Sequence, residues 1–242
     1  MPLMAELSWQ EVAEYLGHDD RVILSLGATE EHGPHLGLGT DSLEAEAIAR
    51  ATGDATGIMV APTLNYGQSM ALMTFAGTLT LRPATLQAVV EDLLRALYHH
   101  GFRRVFIVNG HGGNTAVLLS ALETVAPDLP GLRLKLFQWW TDAESVRVIK
   151  ETMGPQAGSH AADGETAFML AVCPQAVKLK RLTGRDAPVV PTREATTVQT
   201  FATRFPDGIM GNNPKEATRE AGEAILKISV EICTRELANW PV

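Results

Sequence analysis

The stretch Arg21-Val22-Ile23-Leu24-Ser25-Leu26, followed by Ala28-Thr29-Glu30-Glu31-His32-Gly33-Pro34-His35 and then Thr40-Asp41, decides how this chain is read. Its first part is a short apolar run of the kind that forms a strand buried on both faces. Its second part packs carboxylates and imidazoles into a loop punctuated by Gly33 and Pro34. Carboxylate oxygen and imidazole nitrogen are the ligand types that suit Zn²⁺, Mn²⁺ and Fe²⁺. A strand ending in such a loop is where α/β enzymes keep their chemistry. The stretch therefore predicts a metal-dependent enzyme built on a sheet.

Working outward, strands and helices alternate. A helix is expected over residues 8–16, with Ser8 as cap and Glu11 three residues on. A helix over 42–51, a strand over 57–62 and a helix over 83–101 follow. In the last, Leu86, Val90, Leu93 and Leu97 share a face, Pro83 suits the first turn and Gly101 the stop. Strand 105–108, helix 114–126 and strand 132–137 continue the pattern. Helices over 163–172 and 217–237 close it, the second with Ala221, Ile225, Ile228 and Ile232 on one face. Such alternation predicts an α/β fold with a mostly parallel sheet covered on both faces. Residues 182–216 are richer in Pro, Thr, Asn and Gly and read as a long loop or a subunit-contact arm. No boundary divides the chain, so residues 1–242 are expected to form a single domain.

Composition narrows the function classes. The 242 residues are 45% hydrophobic and 20% charged, with a formal net charge of -8. An acidic chain argues against nucleic acid or an anionic membrane as partner. The densest basic groups, Arg103-Arg104 and Lys178-Leu179-Lys180-Arg181, read as solvated faces or strand flanks. Cys173 and Cys233 stand apart in apolar contexts, as buried thiols of a reducing cytoplasm. The first residues lack the basic and apolar regions of a signal peptide. No apolar run approaches the roughly 18 residues of a membrane span.

Four segments carry chemistry: Glu30 to Asp41; Asn109-Gly110-His111-Gly112-Gly113-Asn114; Gln138-Trp139-Trp140-Thr141-Asp142; and Ser159-His160-Ala161-Ala162-Asp163-Gly164-Glu165-Thr166. The first two follow expected strands and open at one sheet edge. Glu30 and His32, two apart in extended backbone, point to the same side. Asp41 can return a carboxylate there and bridge two ions; it is equally a good helix N-cap. His111 sits in a Gly-rich turn that admits close approach, or is a structural histidine. His35 reads as a supporting group behind the ligands. Glu165, in a first helical turn, either favours the helix dipole or joins His160 in one cleft. The Trp pair is either packing or a flat substrate wall. No Gly-x-Ser-x-Gly elbow accompanies any serine.

These residues resemble a known family. Glu30-Glu31-His32-Gly33-Pro34-His35-Leu36 with Thr40-Asp41 is similar to the Glu-x-His-Gly-x-His-Leu…Asp signature of the creatininase (creatinine amidohydrolase) family. Asn109 to Asn114 resembles its second motif, His160 with Glu165 its third, and Asp207-Gly208-Ile209-Met210-Gly211-Asn212 its tail. The resemblance spans nearly the whole chain. It implies a three-layer α/β/α subunit with two divalent ions, Zn²⁺, Mn²⁺ or Fe²⁺, at the carboxyl edge of the sheet. Glu30, His32, Asp41 and His111 would be ligands, Asp41 the bridge and His160 the proton carrier. The implied reaction is hydrolysis of a small-molecule amide C–N bond by a metal-bridged water, in a homo-oligomer, commonly a hexamer.

Two departures shift the reading. Creatininases carry a Glu two residues after the His of the second motif; here that place is Gly113, which makes Glu165 the substitute, as ligand or base. They also carry a Trp shortly before the third His, whereas 154–159 has none; Trp139 or Trp140 answers to the family's other substrate-side Trp. Ser69, Trp139, Gly112 and Asn114 are the positions expected to meet substrate. The His-Gly-Gly-Asn branch includes deformylases and a peptidase of redox-cofactor maturation, so a formamide or cyclic amide is expected before creatinine itself. A phosphoesterase and a non-catalytic metal- or ligand-binding module are the rival readings.

Overall fold

The computed structural model describes residues 2–154, 160–182 and 197–240. Helix α1, Trp9–Leu16, starts at Ser8, whose side chain accepts from the Glu11 amide while Glu11 reaches back to Ser8. There follow β1 (Arg21–Leu26), α2 (Thr40–Thr56), β2 (Met59–Val60), α3 (Pro83–His100), β3 (Arg104–Asn109), α4 (Thr115–Val125), β4 (Arg133–Phe137), α5 (Ala143–Met153), α6 (Asp163–Val172), α7 (Val198–Arg204) and α8 (Arg219–Ala238).

The strands form one parallel sheet in the order β2-β1-β3-β4. Its two faces follow from the two-residue period of a strand. Val22, Leu24 and Leu26 join Val105 and Ile107 in a core with Leu86, Val90 and Leu94 of α3 and Leu118 of α4. Ile23, Phe106 and Val108 face the other way, onto Ile48 of α2, Phe168 of α6 and Ile225 and Ile232 of α8. The chain is thus the three-layer α/β/α arrangement that the alternation predicts. Leu26 pairs with Asn109, so β1 and β3 end side by side and release their loops at one edge.

Several local expectations change. Helix α2 begins at Thr40, with Asp41 inside its first turn and no side-chain cap at all, so Asp41 is not the cap. The second strand shrinks to two residues. Leu94 rather than Leu93 is the buried residue of α3, and Ser229 of α8 is buried where Ile228 is only half-covered. Helix α5 was not expected; Asp142 starts it by accepting from the amides of Glu144 (2.9 Å) and Ser145 (3.1 Å). Arg104 is not solvated: it is buried, ion-paired with Asp20, and donates to the Trp240 carbonyl. Within 182–216 lie α7 and a short turn at Pro214–Glu216, while residues 183–196 fall outside the described ones. So do 155–159, including Ser159.

Helices α6 and α8 meet at backbone distance. A Cβ on Gly222 would stand 1.9 Å from the Ala167 carbonyl oxygen. Gly222→Ala should therefore destabilise the fold. The helix-propensity gain of about 1 kcal/mol is outweighed by an overpacking cost of about 1–3 kcal/mol. Thermal denaturation checks this; a raised midpoint would contradict the packing.

Candidate functional site

The loops after β1 and β3 are tied together before any functional side chain is placed. Asn109 accepts from the His111 amide (3.1 Å) and donates to the His111 carbonyl (2.8 Å), which fixes the turn. Asn114 donates to the Gly27 carbonyl (3.0 Å) and accepts from the Gln68 amide (3.0 Å). Asn114 is therefore a latch between three loops, fully buried and absent from the cleft lining, and the expectation that it meets substrate is corrected. The start of α2 brings Asp41 to the same edge, the turn before α6 brings His160, and the first turn of α6 brings Glu165.

Glu30, His32, Asp41, His111, His160 and Glu165 converge there. Asp41 presents one oxygen to each of two imidazoles, Oδ1 to His32 Nε2 at 3.0 Å and Oδ2 to His111 Nδ1 at 3.1 Å. Glu165 stands 3.5 Å from His32 Nε2, and Glu30 stands 3.3 Å from His111 Nε2. His160 Nδ1 lies 3.4 Å from Glu30 Oε1, and its Nε2 lies 3.1 Å from Glu31 Oε1. Glu30/Asp41/His111 and His32/Asp41/Glu165 each offer three donor atoms within 4.8 Å of one another, and Asp41 belongs to both; Glu30/His32/His160 is a third such set. Glu30 Oε2 and Asp41 Oδ2 are buried without a hydrogen bond. Orphaned buried carboxylate oxygens beside imidazoles are costly unless a cation completes them. The residues fit a divalent metal.

Gly113 is hemmed in by its neighbours. A Cβ there would stand 2.3 Å from the Gln68 carbonyl oxygen and 2.4 Å from His111 Nε2, so the loop as folded has no room for a longer side chain. Glu165 enters the cluster from α6 instead.

The charges answer one another. Burial would push His32 and His111 down, but the facing carboxylates win: His111 is raised to about 9 by Glu30 and Asp41, and His32 is raised well above its usual value by Asp41 and Glu165. Burial would lift Asp41, yet the two imidazoles hold it well below the usual carboxylate range. Burial raises Glu30 and Glu165. A metal must displace the imidazole protons, because only the neutral ring ligates. Affinity should therefore rise with pH while the imidazoles are protonated, by up to about tenfold per pH unit for each displaced proton, and the part due to His111 should level off above about 9. Calorimetric titration of Mn²⁺ at several pH values checks this; an affinity that falls as pH rises contradicts it.

His35 stays outside the three sets. Its Nε2 meets Thr166 Oγ1 at 2.9 Å, and burial and then His32 lower it to about 4, so it is a neutral supporting ring. Behind the site, Glu44 of α2 is fully buried with neither oxygen hydrogen-bonded, and burial and the charges of Glu165 and Asp41 push it well up.

Above the cluster opens a cleft of about 520 Å³. Ser69 lines it and its hydroxyl has no partner; Gly112 lines it as well. Both tryptophans reach it, but Trp139 is 4% exposed and packed in the core against Phe168, while Trp140 is the more open wall. Met70, Leu72, Phe201 and Met210 form an apolar side that sequence reasoning missed. Phe201 and Met210 come from the stretch without regular pattern, which left no periodic signal. Glu31 and Glu44 were also missed as parts of the site, since an adjacent acid and a helix acid both look like solvated charges.

Comparison with known proteins agrees with this geometry. A family profile described as creatininase, creatinine amidohydrolase, matches residues 5–237. The creatinine amidohydrolase of Pseudomonas putida is 28% identical, over 94% of this chain and 93% of its own length. A mycofactocin precursor peptide peptidase of Mycobacterium ulcerans (strain Agy99) is 29% identical, over 99% of this chain and 93% of its own. The solved structure of a creatinine amidohydrolase superimposes with a TM-score of 0.89 at 27% identity, covering 99% of this chain and 98% of that one. A manganese form of creatininase gives a TM-score of 0.88 at 27% identity, covering 99% of both chains. A profile match across nearly the whole chain, a shared three-layer fold and an edge cluster of carboxylates and imidazoles together make this chain a member of the creatininase (creatinine amidohydrolase) family.

Proposed function

We propose that this chain is a metal-dependent amidohydrolase that cleaves an amide C–N bond in a substrate larger than creatinine. The observation that carries the reading is Asp41, whose two oxygens face two different imidazoles while Glu30 and Glu165 complete a donor set on either side. One divalent ion would be held by Glu30, Asp41 and His111, the other by His32, Asp41 and Glu165. Such ions lower the pKa of a water and polarise a carbonyl oxygen. Relatives are named as manganese and zinc forms, and the oxygen and nitrogen set also admits Fe²⁺.

The chain's own residues supply the rest. His160 Nδ1 faces Glu30 at the cleft floor and would pass a proton to the leaving nitrogen. The free hydroxyl of Ser69 and the open backbone at Gly112 would orient the substrate. Phe201, Leu72 and Met210 would exclude water from the reacting bond. The cleft volume of about 520 Å³ lies in the range of drug-sized ligand pockets. Creatinine would leave much of it empty, so an acylated amine or a short peptide is the better candidate; a relative is named for a precursor peptide and another for creatinine. A formamide or cyclic amide carrying an apolar group fits the same wall.

A phosphoester substrate is disfavoured because no Lys or Arg lines the cleft among the described residues. A bare metal-binding module has no use for the substrate-sized cleft above the cluster. A panel of amides, formamides, short peptides, creatinine and phosphoesters, offered to Zn²⁺- or Mn²⁺-loaded protein, tests the reading. Turnover of amides is expected; turnover of phosphoesters alone would overturn it. A homo-oligomer is supported by the exposed apolar group Leu38, Tyr66, Met73 and Leu79. A cytoplasmic location is supported by two free, buried thiols. No helix among the described residues is long and apolar enough to cross a membrane.

A further inference from the structure

Glu31 is an unusual neighbour for two ligand candidates. It belongs to none of the three donor sets and is 4% exposed. Both of its oxygens are engaged. Oε2 accepts from the Gly33 amide at 2.9 Å, and Oε1 stands 3.1 Å from His160 Nε2. The backbone of Glu31 is pinned as well, its amide donating to Thr78 Oγ1 at 3.1 Å. From the other side the tail residue Gly208 packs against the carboxylate with φ of +77°; a Cβ there would stand 2.0 Å from Oε2. The next turn holds His160 itself, since the Met210 amide donates to the His160 carbonyl at 2.8 Å. One short segment therefore clamps both partners.

We infer that Glu31 is a positioning residue for His160: it accepts the Nε2 hydrogen and thereby leaves Nδ1 as the nitrogen presented to the cleft. This rests on the amidohydrolase reading for its consequence, though not for its geometry. A ring that donates through Nε2 in its neutral form must carry its lone pair on Nδ1. Nδ1 is the atom beside Glu30 at the cleft floor. A carboxylate behind a histidine fixes the ring's tautomer and orientation in this way in other hydrolases.

The hydrogen-bond count makes Glu31→Gln a sharp test. Glu31 meets two donors, and a carboxylate accepts from both. An amide of the same shape has one acceptor and one donor, so either Gly33 or His160 is left facing an N–H. Zn²⁺-loaded wild-type protein, labelled with ¹⁵N-histidine, should show His160 protonated at Nε2, identified by the signal that His160→Ala removes. In Glu31→Gln that signal should move or vanish. On an amide with a basic leaving nitrogen, kcat should fall about 10–100-fold, the usual size of a supporting-residue loss, with KM and zinc content unchanged. On an activated anilide, whose leaving nitrogen needs less protonation, the fall should be much smaller. Protonation of wild-type His160 at Nδ1 alone would overturn the inference, even if the variant failed to fold. Equal losses on both substrates, or loss of zinc, would overturn it too. If wild-type protein turned over no amide while His160 kept the Nε2 hydrogen, the amidohydrolase reading would fail and the pairing would stand.

Discussion

His160→Ala is expected to lower turnover about 10²–10⁴-fold, the usual contribution of a positioned acid–base group, while the protein keeps its metal. The ring is half-buried against Phe201, with ring centroids 6.0 Å apart, and lies against His32 at 4.4 Å. It is raised above its usual pKa: burial and then His32 push it down, and Glu31 and Glu30 outweigh them. That setting suits a group that gives up a proton beside a reacting bond. Geometry also permits a second role, because Glu30, His32 and His160 lie close enough to hold an ion. The two sets that share Asp41 need nothing from His160. Metal content by elemental analysis therefore separates the roles. A variant that loses turnover and keeps its ions supports proton transfer; a variant that loses an ion makes His160 a ligand.

Asp41→Asn is expected to be the most damaging single change for metal binding. Asp41 is the one residue common to the Glu30/His111 set and the His32/Glu165 set. Its oxygens lie 3.0 Å and 3.1 Å from the two imidazoles. An asparagine keeps the shape but loses the charge and one acceptor. Supporting residues behind a ligand typically cost 10–100-fold in metal affinity. Removal of a shared ligand should exceed that, so apparent affinity at both sites should fall by more than about 100-fold. Glu165→Gln, in contrast, touches one set only and should empty one site. Titration of Mn²⁺ with each purified variant checks the pair of outcomes. Equal effects of the two substitutions would contradict a shared Asp41.

Much of this was legible in the sequence, for identifiable reasons. Arg21–Leu26 is a strand because six mostly apolar residues sit between turns, and Asp163–Val172 is a helix at the bounds its pattern predicts. The motif spacing marks Glu30, His32, Asp41, His111, His160 and Glu165, which the fold gathers at one sheet edge. What stayed hidden depends on tertiary context. Helix α5 follows a Trp pair and is polar on most of its surface, burying Ser145 and Ile149. Asp41 reads equally as a cap or a ligand from its sequence context; the helix starts at Thr40, two residues before the expected 42, and carries Asp41 into the cluster. Asn114 looked like a substrate contact because it closes a Gly-rich motif, but its amide is spent on the Gly27 carbonyl and the Gln68 amide. Glu44 reads as a surface helix acid, and only the fold shows it sealed behind Glu165. Phe201 is the one fully covered residue of a seven-residue helix, too short for periodicity to reveal.

The central claim is a site for two ions joined by Asp41. Chelator-treated protein should be titrated with Zn²⁺ or Mn²⁺ and the ions per chain counted by mass spectrometry under native conditions. The expected result is two ions per chain in the wild type, with neither retained in Asp41→Asn. A wild-type chain that takes up well under one ion, or an Asp41→Asn chain that still holds two, would contradict it.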